Sequence, residues 1–160
     1  MGEVDEQQYR RGLYMYWKRS FLHPGFMAFD APDRQESTAE RAVSNTASQA
    51  LVLLNDTTYV EAARVFAQRI ISEGGTSVED QLDWAFRTAL SRETRPEERA
   101  VLTNLHQSQL AQYRNDAETA YQVVRTGIAP VPESVDPAEL AAWTAVARAI
   151  FNLHEMIMRY

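Results

Sequence analysis

The chain has 160 residues, the usual size of one domain, and 45% hydrophobic residues, enough to supply a sizeable core. Its formal net charge of -6 excludes the concentrated positive footprint of a nucleic-acid binder, so nucleic acid is not an expected partner. It has no cysteine, which excludes disulfides, thiol catalysis, thiolate metal sites and cysteine-linked haem within this chain. No apolar run approaches the roughly 18 to 20 residues of a membrane span, and the amino end is acidic where a secretory signal would be basic and then apolar. A soluble domain is expected, either intracellular or a fragment of a longer protein.

Residues 9–19 read two ways. Leu13, Met15 and Trp17 alternate with Tyr14 and Tyr16 as on a strand, while the length would also suit a helix; the extended reading is favoured. Residues 21–45 carry Pro24, Gly25 and Pro32 among polar residues without a sustained period, which predicts a long irregular segment. Helical signals follow. Ser44, Asn45 and Thr46 can each cap a helix over residues 47–54, and Asn55 with Asp56 offers a break and a fresh cap. A second helix carries Val60, Ala63, Ala67, Ile70 and Ile71 at helical spacing and ends at Gly74-Gly75. Ser77 and Asp80 resemble a capping box ahead of a third, marked by Leu82, Ala85, Phe86 and Ala89. Pro96, followed by Glu97 and Glu98, suits the first turn of a fourth. A fifth begins near Asp116 and stops at Gly127. The last starts at Asp136-Pro137, and its stripe of Leu140, Trp143, Ala147, Ile150, His154 and Ile157 predicts one long, central, largely buried helix.

The expected fold is therefore mainly α: one compact domain of about six helices over 1–160. It divides into an aromatic, partly extended or irregular segment, 1–44, and a helical body, 45–160. No repeat period recurs, which disfavours a solenoid.

Candidate chemistry is sparse. Gly74-Gly75 lacks the Lys and Ser or Thr of a phosphate loop, and His23, His106 and His154 show no metal-ligand spacing, so no metal or cofactor is expected in this chain. The densest polar group is Asp30, Asp33, Arg34, Glu36, Glu40 and Arg41. Paired carboxylates there suit acid-base chemistry or a hard cation; the competing account has Asp30 and Asp33 shaping turns around Pro32 while Arg34 and Arg41 pair with nearby acids. A second set, Asn45, Gln49, Asn55 and Asp56, brackets residues 50–54. Asn45 and Gln49 are one helical turn apart and could present amides jointly, although capping explains Asn45, Asn55 and Asp56 more simply. Seven aromatics between Tyr9 and Phe29 suit either core packing or a partner surface.

Three stretches together resemble a known family: residues 10–19 (RRGLYMYWKR), 29–34 (FDAPDR) and 45–56 (NTASQALVLLND). They are similar to the PSD-one domain of large planctomycete cytochrome-associated proteins, a domain of unknown function, and residues 142–148 and 152–155 fit its end. The resemblance implies the carboxyl-terminal part of a longer exported protein whose other regions often include a c-type haem module. The expected partners are the other domains of that protein. The family commonly has cysteine where Ser37 stands, proline and leucine at Ala47 and Ser48, and an acidic residue at His154. No catalytic residue carries over; Asp30, Arg34, Asn45, Gln49, Asn55 and Asp56 carry over only as motif positions. Two functions follow as expectations: a helical accessory or interaction domain, or a carbohydrate-active or hydrolytic unit using the 30–41 carboxylates and the 45–56 motif.

Overall fold

A computed structural model describes residues 14, 23–32, 37, 39, 44 and 46–157. The strand or helix expected at 9–19 lies outside them, Tyr14 excepted. The described residues form eight helices and no strand: α1 Pro24–Ala28, α2 Ala47–Asn55, α3 Thr57–Glu73, α4 Val78–Leu90, α5 Pro96–Asn115, α6 Ala117–Val124, α7 Pro137–Phe151 and α8 His154–Ile157. The mainly helical fold is thus as the periodicity indicated, with two short helices added.

Local chemistry sets most helix starts. Thr46 and Gln49 close a capping box on α2, and the side chains of Asp56, Ser77, Asp116 and Asp136 each accept a backbone N–H at the start of α3, α4, α6 and α7. Pro96 and Pro137 occupy first turns, where a missing N–H costs nothing. Two boundaries correct the sequence reading. The segment expected to be wholly irregular contains α1: Pro24 again stands in the first turn, and His23 Nδ1 accepts the Gly25 N–H at 3.2 Å.

The last helix is also shorter than its apolar stripe suggests. At Asn152 the backbone N–H turns to Ala149 O, 3.1 Å away, as well as Arg148 O, and the side-chain amide donates to Arg148 O at 3.0 Å. These tight local bonds end the α-helical ladder, and α8 begins as a separate short helix at His154. His154 is consequently exposed and does not continue the stripe.

Helix α7 packs against α3, α5 and α6, with Leu140, Ala141, Ala142, Trp143, Val146, Ala147 and Ile150 fully buried. Around them lie Ala67 and Ile70 of α3, Phe86 of α4, Tyr113 of α5 and Val124 of α6. Fully buried Ala63 and Ala67 on α3, like the alanines of α7, leave room for close helix packing. Phe66 stacks between Trp84 and Phe151, with centroids 5.9 and 5.6 Å away.

A buried ion pair ties the long connection before α7 to α3. Glu61 and Arg64, both 0% exposed, approach to 3.8 Å. Glu61 Oε1 accepts the N–H groups of Ile128, at 2.7 Å, and Ala129, while Arg64 donates to Ala129 O at 2.7 Å and Pro130 O at 3.3 Å. Both charges therefore gain hydrogen bonds to the 128–130 backbone, which offset part of the cost of burial. Gly127, at φ +95°, brings the backbone past the Glu61 carboxylate.

Candidate functional site

Two of the described motif positions, Asp30 and Gln49, meet at one node beside an apolar recess. Asp30 follows α1 with a φ of +54°, unusual for a side-chain-bearing residue. Its Oδ2 accepts from Ser44 N (2.9 Å), Ser44 Oγ (2.6 Å) and Gln49 Nε2 (3.5 Å). Gln49 is only 1% exposed, and its Oε1 accepts the Thr46 N–H at 3.0 Å. One carboxylate thereby fastens the turn after α1 to the start of α2 across 14 to 19 residues of sequence.

The other described motif residues face elsewhere. Asn55 is exposed and donates back to Leu51 O at 2.9 Å, while Asp56 Oδ1 accepts the Thr58 N–H at 2.9 Å as the α3 cap. Asp33, Arg34, Arg41 and Asn45 lie outside the described residues, as do Glu36 and Glu40. The amide pairing considered for Asn45 with Gln49 likewise lies outside the described residues. Asp30 and Gln49, which the sequence placed in two separate sets, are brought together; Ser44 and Thr46, considered only as caps, complete the node.

Next to the node lies a recess of about 340 Å³ lined by Phe29, Leu53, Tyr59, Phe151, Met156 and Ile157. Phe29, the neighbour of Asp30, packs on Tyr59 with ring centroids 6.2 Å apart. Burial, reinforced by the Asp56 carboxylate, pushes the Tyr59 hydroxyl above its usual pKa, so it remains a neutral donor and acceptor at physiological pH. Met156, 40% exposed, leaves one edge open to solvent. Arg148 donates to Leu54 O, joining the end of α2 to α7 behind this wall. The sequence carried a weak signal for the recess: Phe29 belonged to the aromatic run and Ile157 to the α7 stripe, but only the break at Asn152 swings Met156 and Ile157 to its rim.

The histidines do not assemble. His106, 2% exposed on α5, stacks 4.6 Å from Trp143 and brings Nε2 to 3.3 Å from Glu139 Oε1, which also accepts the Trp143 indole N–H at 3.2 Å. The adjacent His106 imidazole holds the Glu139 carboxyl below the usual glutamate range, against the opposing effect of burial. Among the described residues, no group of three or more His, Asp or Glu could hold a metal ion.

Residues 2–106 match the model of PSD1, a protein of unknown function (DUF1553). The chain belongs to this family. The PSD1 match includes the Asp30 node, α2, α3, α4 and the first half of α5. It stops short of the closing stretches at 142–148 and 152–155, so the similarity found is shorter than the near-complete resemblance read from the motifs. Phe29, Leu53 and Tyr59 of the recess fall within the PSD1 segment, and Phe151, Met156 and Ile157 beyond it. No curated protein and no solved structure matches the chain. No helix among the described residues is long and apolar enough to cross a membrane.

Proposed function

We propose that this chain is a helical accessory domain of a longer, exported, cytochrome-associated polypeptide, and that it docks on a neighbouring domain through the recess beside the Asp30 node. One observation supports this above the others: the described motif residues hold backbone in place, while the recess next to them is apolar and open. Asp30 and Gln49 brace α1 against α2, Asn55 bonds within its own helix and Asp56 caps α3. A carboxylate that accepts three hydrogen bonds from its own chain is poorly placed to act as a base or to ligate a cation. The recess has the other character: aromatic and aliphatic walls and one solvent-facing methionine, the make-up of a contact surface. A cysteine-linked haem, where present, is attached to another domain, since this chain has no cysteine.

The test is calorimetric titration of the 160-residue chain with the remaining polypeptide encoded by the same gene. Saturable binding is expected, weakened at least tenfold by Met156→Glu, a change at an exposed position that spares the core. Absence of binding, or binding indifferent to Met156→Glu, would refute the proposal.

A further inference from the structure

A second groove lies between α4, α5 and the end of α7, with a volume of about 380 Å³. We propose that it receives a partner helix presenting an aliphatic side chain with a lysine or arginine one turn away. Its floor is the core itself, since Phe86 and Ile150 are fully buried and Leu102 is 8% exposed. On its rim, Val101 is 65% exposed. An apolar floor below an exposed aliphatic rim is a surface that water covers at a cost. The lining follows two helix axes, Glu97, Glu98, Val101 and Leu102 along α5 and Ala149, Ile150 and Leu153 at the end of α7. A channel between two packed helices is the shape that seats a third.

Charge sets the chemistry of the occupant. Two carboxylates stand in the wall. That of Glu98 is taken by Arg92, at 2.7 and 2.8 Å, and by the Arg95 N–H at 2.9 Å. Arg92 itself lies over the Phe86 ring, 5.0 Å from its centroid, and is shared with Glu155, so it offers no spare positive charge here. Glu97, exposed, makes no hydrogen bond or ion pair within the described residues. The wall thus holds one carboxylate without an ion-pair partner, in the first turn of α5 beside an apolar channel, in a chain of net charge -6. A cation on the partner completes it; an anion is repelled.

The site is independent of the recess proposed above and is tested separately. Two synthetic amphipathic peptides of about 15 residues, the marginal length for helix formation, share one leucine face and carry either lysine or glutamate flanking it. Each is titrated into the 160-residue chain while methyl resonances are followed by NMR. The lysine peptide is expected to shift Val101, Leu102, Ile150 and Leu153 and to bind about three- to tenfold more tightly than the glutamate peptide, the range of an exposed ion pair exchanged for repulsion. Glu97→Lys should reverse that preference, and Val101→Asp should abolish both titrations while the circular dichroism stays helical. Equal affinity for the two peptides, shifts confined to Leu53, Met156 and Ile157 of the other recess, or no shift at millimolar peptide would overturn the proposal. So would hexylammonium shifting the same methyls as strongly, which would mark a site for small cationic amphiphiles.

Discussion

Replacing Gly127 with alanine tests the buried Glu61–Arg64 clasp through a single methyl group. At φ +95° the alanine backbone itself costs about 1–2 kcal/mol. The new Cβ would also stand 2.5 Å from Glu61 Oε2, well inside van der Waals contact. Glu61 cannot retreat cheaply, because it is fully buried and accepts the N–H groups of Ile128 and Ala129 beside Arg64. Losing either bond leaves a buried polar group unsatisfied, at about 1–3 kcal/mol. The sum is about 2–5 kcal/mol, which overlaps the cost of removing one partner from a buried ion pair. With a urea slope of about 2 kcal/mol per molar for a domain of this size, the unfolding midpoint should fall by roughly 1–2.5 M. Circular dichroism at 222 nm across a urea series provides the assay. A fall below about 0.5 M would show that the clasp does not hold the loop, and the reasoning would fail.

Trp143→Ala, at a fully buried position on the central helix, should cost about 3–5 kcal/mol in the same urea assay; a loss under about 1 kcal/mol would place α7 outside the stability-determining core. Gln49→Ala removes both the capping box and the amide facing Asp30, so a loss of about 1–2 kcal/mol is expected, with amide exchange accelerated at the start of α2. Acid should weaken the fold in a defined sense. His106 holds Glu139, and Arg92 holds Glu98, below the ordinary glutamate value of 4.5. Their contribution is full above that value and is lost as pH falls through the lower folded-state values. Urea midpoints should therefore drop below pH 4.5, and Glu139→Gln combined with Arg92→Ala should flatten the drop; an unchanged acid slope would contradict these assignments.

Most of the helical body was legible because its signals are local. A cap lies within three residues of the N–H it satisfies, so Ser77, Asp116 and Asp136 marked their helices from sequence alone. Apolar spacing likewise identified Ala67, Ile70, Phe86 and Trp143. What escaped was either too short for periodicity or too distant in sequence. Helix α1 is little more than one turn, and its proline and glycine read as loop residues. The end of α7 was misread because hydrophobic spacing continues through a break made by the hydrogen bonds of Asn152. Glu61 and Arg64 carried no sequence signal, since their partners lie 65 to 68 residues away.

The node was half legible. Asp30 and Gln49 stood out as residue types, but no sequence pattern joins two side chains 19 residues apart across a turn. The recess was harder still, because its walls come from opposite ends of the helical body. Within it, Phe151 widened the stripe of one helix, and Met156 drew no notice.

The central claim is that the recess beside Asp30 is a docking surface, and hydrogen exchange tests it most directly. Backbone exchange is compared between the isolated 160-residue chain and the longer polypeptide that the proposal requires. The account predicts slower exchange at residues 53–59 and 151–157 in the longer polypeptide, with Met156→Glu removing the difference. Exchange that is the same in both contexts at those residues would contradict it.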